Sequence, residues 1–87
     1  MNYEKGMLVR SLMGHDAGNI YIIIEESADT VAVANGRQKT LAKPKNKKKK
    51  HVQLIKYKPE GIEAKLNEGR LTDADLVFAI RTYKENS

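Results

Sequence analysis

Apolar residues in this chain come in short runs punctuated by glycine, proline, acids and amides, and the runs change period about two-thirds of the way along. Gly6-Met7-Leu8-Val9-Arg10-Ser11-Leu12-Met13 is entered by one glycine and closed by another, Gly14, which predicts a strand over 6–13. The β-branched run Ile20-Tyr21-Ile22-Ile23-Ile24 predicts a second strand over 19–26. Between them, Gly14-His15-Asp16-Ala17-Gly18 supplies the residues of a tight loop. Thr30-Val31-Ala32-Val33-Ala34 predicts a third strand, with Val31 and Val33 on one face. Asn35-Gly36 suits a type I′ hairpin turn and predicts a short fourth strand over 37–41. Pro44 and mutual repulsion among the lysines make 43–50 a loop, after which 51–57 resumes the strand pattern as a fifth strand.

From Pro59 the period is helical. Ile62 and Leu66 lie four apart and Gly69 is a natural stop, so a first, short helix is expected, weakened by Gly61 by up to ~1 kcal/mol. Thr72 is an N-cap residue, and Asp73 and Asp75 suit the positive end of a second helix. Leu76, Ile80 and Tyr83 share its buried face, while Arg81 and Lys84 complement its far end. The expected fold is mainly β: five short strands followed by two short C-terminal helices. Five short, sharply turned strands avoid open edges by closing into a small barrel that the helices cap. Residues 1–58, including the basic loop 43–50, are expected to form the barrel, and 59–87 a helical extension packed on it, as one domain. There is no internal repeat.

The chain has 87 residues, 40% hydrophobic, enough for one thin core and too apolar for wholesale disorder. Without cysteine it has no disulfide or thiolate metal site. No apolar stretch approaches the ~20 residues of a membrane span, and the N-terminus lacks the apolar core of a signal peptide. A cytoplasmic protein, monomeric when free and without membrane contact, is expected.

Charge sharpens this picture. Of sixteen basic residues, ten fall between Thr30 and Pro59: Arg37, Lys39, Lys43, Lys45, Lys47, Lys48, Lys49, Lys50, Lys56 and Lys58. None of the eleven acidic residues lies there. A formal charge of +5 thus hides roughly +10 in the middle against about −5 at the ends. Such polarity points to a polyanion, whose condensed counterions each phosphate contact releases. Lysine gives point-charge contacts, and Arg37 alone in this zone has the planar fork of a guanidinium. Lysines without a set of stacking aromatics favour folded RNA recognised by shape and backbone. His51, beside the lysines, adds a candidate phosphate contact. Tyr21 and Tyr57 are read as packing residues ahead of stacking platforms.

Catalysis finds little support. No nucleophile stands with a base, no metal-ligand spacing occurs, and Gly14-x-x-x-Gly18 lacks the lysine and hydroxyl of a phosphate-binding loop. A binding protein without cofactor or metal is expected. Residues 43–50 also have the form of a nuclear localisation signal, but nothing else suggests that role.

The stretch 5–38 resembles a KOW motif. Gly6-Met7-Leu8-Val9-Arg10-Ser11 matches its first strand, Gly14-His15-Asp16-Ala17-Gly18 its loop, and Ile20-Tyr21-Ile22-Ile23-Ile24 its second strand, with Gly18 where the motif's glycine belongs. The order of a KOW unit, a lysine-rich loop, Lys50-His51-Val52-Gln53-Leu54 and a helical tail resembles the archaeal and eukaryotic large-subunit ribosomal protein family fourteen, and small bacterial KOW-domain RNA-binding proteins. The resemblance covers nearly the whole chain. It implies an SH3-like barrel that binds structured RNA, with ribosomal RNA of the large subunit and ribosomal proteins as partners, and a role in translation. Family loops at 14–19 are often basic, whereas this one carries Asp16. KOW barrels also serve as protein-interaction modules of the transcription and translation machinery, which is the alternative reading. A Tudor-like peptide reader is disfavoured because four tyrosines and one phenylalanine, scattered along the chain, do not make an aromatic cage.

Overall fold

The apolar run at 20–24 becomes the middle of a sheet that is covered on both sides. In a computed structural model, which describes residues 2–86, β2 (Ile20–Glu26) lies between β1 (Leu8–Ser11) and β3 (Thr30–Ala34). Outside these lie β4 (Lys45–Lys48) on β3 and β5 (Val52–Ile55) on β1, giving the antiparallel order β4-β3-β2-β1-β5. Met1 and Ser87, the outer ends of the two expected segments, fall outside the described residues. α1 (Ile62–Asn67) and α2 (Asp73–Glu85) follow the sheet. No helix among the described residues is long and apolar enough to cross a membrane.

Two clusters divide the core. Leu8, Ile20, Ile22 and Ala34 pack beneath Ile62 of α1 and Leu76, Ala79 and Ile80 of α2. On the opposite face Val9, Tyr21, Ile23, Val31, Val33 and Val52 pack on one another without any helix. Burial on both faces is why β2 reads as a continuous apolar run and not as an alternation.

The second cluster needs the sheet to curl. β4 and β5 are the two edges, four strand spacings apart, or about 19 Å in a flat sheet. They are nevertheless joined by a single 3₁₀ turn, Lys49–His51, which rises about 2 Å per residue. The edges must therefore converge at that end, and the second cluster fills the resulting concavity. A bulge in β2 between Ile23 and Glu25 adds local bend and twist. No β4–β5 ladder forms among the described residues, so the sheet is coiled but not closed.

Several expected elements are revised. No strand forms at 37–41, and Asn35-Gly36 makes no type I′ turn, since that turn needs positive φ at both residues and only Gly36 has it, at 82°. The Asn35 side chain captures the backbone instead: its Oδ1 accepts from the N–H groups of Arg37 (3.0 Å) and Lys39 (3.1 Å). Gly36 then lies so close to α2 that a Cβ there would stand 2.3 Å from the carbonyl oxygen of Asp73. Farther on, the Leu41 N–H donates to Asp73 Oδ1 at 2.9 Å, so the segment runs along the helix start and pairs with no strand.

The fourth strand lies inside the expected lysine loop. The fifth is shorter than 51–57 at both ends: His51 belongs to the 3₁₀ turn, and the strand stops at Ile55. Gly61 is the N-cap of α1 and not an interior residue, so the interior helix penalty does not apply, and Pro59 is buried just ahead of it. The Arg70 N–H reaches the Lys65 carbonyl (2.9 Å) and the Gly69 N–H that of Leu66 (3.2 Å), a Schellman closure. α2 starts with a complete capping box between Thr72 and Asp75.

Candidate nucleic-acid interface

Lys45–Lys48 has poor intrinsic strand character, yet it forms an edge strand because β3 offers a free ladder and the 3₁₀ turn fixes its far end. Register pairs Val33 with Lys45 and Val31 with Lys47, which places both lysines on the side of the helix-free cluster. Their fates differ. Lys45 is exposed, whereas Lys47 turns inward over the mouth of the concavity, its side chain only 8% exposed.

Lys47 Nζ donates to Asp16 Oδ1 (2.7 Å), Ser11 Oγ (2.9 Å) and the Met13 carbonyl (3.3 Å), which uses all three of its protons. The Tyr21 hydroxyl, at the bottom of the same site, donates to Asp16 Oδ2 at 2.6 Å. Ser11 Oγ lies 3.1 Å from both Asp16 Oδ1 and the Met13 carbonyl, either of which its one proton can reach. Burial pushes the Asp16 carboxyl upward, but hydrogen bonds from Lys47, Tyr21 and Ser11, with the charge of Lys47, outweigh it and hold the group well below the usual carboxylate range. Tyr21 moves the other way. Burial, then its bond to the Asp16 anion, raises the phenol above its ordinary value.

This geometry divides the expected phosphate-contacting set. Lys47 is spent inside the protein. Lys49 is bound to Glu26, with its ammonium 5.2 Å from the centre of the Tyr3 ring. Lys58 bridges Glu4 (2.6 Å) and Glu63 (3.1 Å), and the bond to Glu4, then that to Glu63, raises its pKa. The remaining cations, Arg37, Lys39, Lys43, Lys45, Lys48, Lys50 and Lys56, make no ion pair among the described residues. Five of these seven lie between the end of β3 and the end of β4, and Lys50 follows in the 3₁₀ turn beside half-buried His51.

The loop of Gly14, His15, Asp16 and Gly18 splits in function. Asp16 points in and His15 out to solvent. The amides of Ala17, Gly18 and Asn19 are taken by the carbonyls of Gly14, Ser11 and Asp16, which leaves none of these three for an incoming phosphate. Tyr21 is fully buried, and Tyr57 packs its ring 5.5 Å from that of Tyr83.

The sequence set Asp16 against His15 and placed Lys47 with the other phosphate-contacting lysines, whereas the two pair with each other. Nothing in a run of four lysines distinguishes the inward one, whose identity is fixed by its register with Val31. Arg81 and Lys84, read only as helix-dipole partners, come to line the same pocket as Arg37. No family model matches this chain, and no curated protein matches it.

Proposed function

We propose that this protein binds structured RNA through the cations of the β3–β4 segment and its edge strand. The observation that carries the reading is the set Arg37, Lys39, Lys43, Lys45, Lys48 and Lys50: gathered within 37–50, without acidic partners among the described residues, and carried on backbone held by pairing, by side-chain bonds or by the 3₁₀ turn. Lysine point charges on a rigid support suit phosphates in a folded RNA better than splayed bases. The coiled sheet, with its edges bridged by one turn, is the observation behind an SH3-like barrel of the KOW type; a place on the large ribosomal subunit in the cytoplasm is the further expectation of that reading. Binding, with no chemical step, is the proposed activity.

Salt dependence tests the charge reading. If about six phosphates are contacted, log K falls with log salt at a slope near −5 on duplex RNA and near −4 on single strands. A slope near zero sinks it. Sedimentation of cell extract tests the ribosomal assignment: co-migration with the large subunit, abolished at high salt, is the expected result.

A second reading has an observation of its own. Phe78 is 62% exposed beside a groove between the helices that Tyr57, Pro59, Ile62 and Ala79 also line. A KOW-type protein-interaction module would use such a surface, and it predicts salt-insensitive co-purification with a protein of the transcription or translation machinery.

A further inference from the structure

Cations from two distant parts of the chain meet at one opening. A pocket of about 300 Å³ lies between the 35–38 bend, the start of β2 and α2, and Arg37, Arg81 and Lys84 line it with the amides of Asn19, Asn35 and Gln38. No acidic side chain lines it among the described residues. Two guanidinium charges without an acidic partner beside one small opening repel each other, and an anion between them removes that repulsion.

The arginines are positioned as well as charged. Asn35 Oδ1 fixes the N–H of Arg37, Asn35 Nδ2 donates to Gln38 Oε1 at 2.7 Å, and Gly36 is seated against Asp73 and Val77, so the bend carrying Arg37 has little freedom. Arg81 projects from α2 with its guanidinium 5.8 Å from the centre of the Phe78 ring, a contact that orients it without neutralising it. Neither arginine makes an ion pair among the described residues.

We propose that this pocket holds one backbone phosphate of the bound RNA, gripped by the guanidinium forks of Arg37 and Arg81, with Lys84 adding charge. It rests on the RNA reading above and extends it. The lysines of β4 supply diffuse attraction, while the two forks fix the register of the RNA on the protein. Lys39, Lys43 and Lys45 follow Arg37 in the chain, so the proposed phosphate site adjoins the cations of the β3–β4 segment in sequence.

The test uses the full chain and an RNA hairpin, with binding followed by fluorescence anisotropy across a salt series. Three variants are compared with the parent: R37Q/R81Q, R37K/R81K and K43Q/K45Q/K48Q/K50Q. Both arginines are exposed, so thermal melts should be unchanged. R37Q/R81Q should weaken binding about tenfold or more at low salt and reduce the slope by about 1, the signature of a single phosphate no longer neutralised. R37K/R81K should keep the slope but still bind several-fold more weakly, because lysine has no fork. If R37Q/R81Q binds like the parent while the four-lysine variant is weakened, the pocket proposal falls and the RNA reading stands. If the parent itself binds no hairpin, the RNA reading falls and takes the pocket with it. Titration with inorganic phosphate separates the remaining source. Saturation of the pocket by free phosphate without any weakening of RNA binding would mark a site for small anions and overturn the proposal.

Discussion

Lys47 Nζ stands 2.7 Å from Asp16 Oδ1, at the open end of the concavity formed by the coiled sheet. The one acid of the glycine loop and the one inward lysine of the basic run thus neutralise each other, and together they fasten the β1–β2 loop to β4. The ion pair adds a side-chain tie to an edge strand otherwise held by its ladder to β3 and by the turn at its far end. The arrangement also puts a charge on the inner side of an exposed edge, a device that discourages pairing with another chain.

Removing one partner should cost far more than removing both. Lys47→Met leaves a largely buried carboxylate unpaired and should destabilise the fold by about 2–3 kcal/mol, the buried-pair value reduced for the partial exposure of Asp16. The double variant Asp16→Asn/Lys47→Met should lose about 1–3 kcal/mol less than the sum of the single changes. Urea denaturation of the four proteins gives the coupling directly, and additive losses would show that the pair does not act as a unit.

The same pair sets the acid limb of stability. Asp16 has a folded pKa below its ordinary value of 3.8, so its contribution is complete above about that pH and is lost as pH falls further toward the folded value. Asp16→Asn should be less stable near neutrality and show a flatter decline below about pH 4. Tyr21 acts in the opposite sense: its raised pKa gives a contribution present below its ordinary value of 10.0 and lost as pH rises through the folded value. Thermal melting against pH, in the parent and in Asp16→Asn, would reveal both limbs.

Two glycines with similar positive φ should respond very differently to alanine. Gly18 has φ of 94° and open space around a would-be Cβ, so Gly18→Ala should cost only the conformational penalty, about 1–2 kcal/mol. Gly36 has φ of 82° and would set that carbon 2.3 Å from the Asp73 carbonyl oxygen and 2.9 Å from Val77 Cγ2. Gly36→Ala should therefore cost about 3 kcal/mol or more and push the 35–44 segment off α2. Similar losses in the two variants would argue against the close packing of Gly36.

The lysines divide into two experimental classes. Glutamine at Lys43, Lys45, Lys48 and Lys50 should lower the salt slope of RNA binding by about 0.7–0.9 for each phosphate no longer neutralised, with little change in stability. Lys47→Gln should instead lower stability and leave the slope almost untouched. A drop in slope on changing Lys47 alone, in protein shown to be folded, would contradict its assignment to the interior.

Strands β2 and β3 and helix α2 were legible because each carries a local signal that tertiary structure only reinforces. The apolar run at 20–24 has no alternative to burial on both faces, and Thr72 with Asp75 encodes its own cap. β4 was illegible for the opposite reason. Its residues repel one another and follow a proline, and only the ladder to Val31 and Val33 and the Asp16 site make them a strand. The segment 37–41 looked like a strand because Asn35-Gly36 looked like a hairpin. The competing fact, that Asp73 and Val77 lie against Gly36, sits nearly forty residues away. Of the basic zone, its position was visible in composition. Which cations are paired was not, because Glu4 and Glu26 reach their lysines through the fold, and only Glu63 lies near its lysine in the chain.

β1 is paired on one side with β2, its neighbour in the chain, and on the other with β5, the last strand to be made. That second pairing demands closure of nearly the whole sheet-forming segment before any contact rewards it, the kind of topology that folds slowly. A nascent chain that stops short of Val52 has an unsatisfied edge along Leu8–Ser11 and no turn to draw the sheet together. Assembly should therefore be a late, concerted event and not a gradual accretion from the N-terminus, and until it happens the lysine run has no rigid support on which to meet a partner.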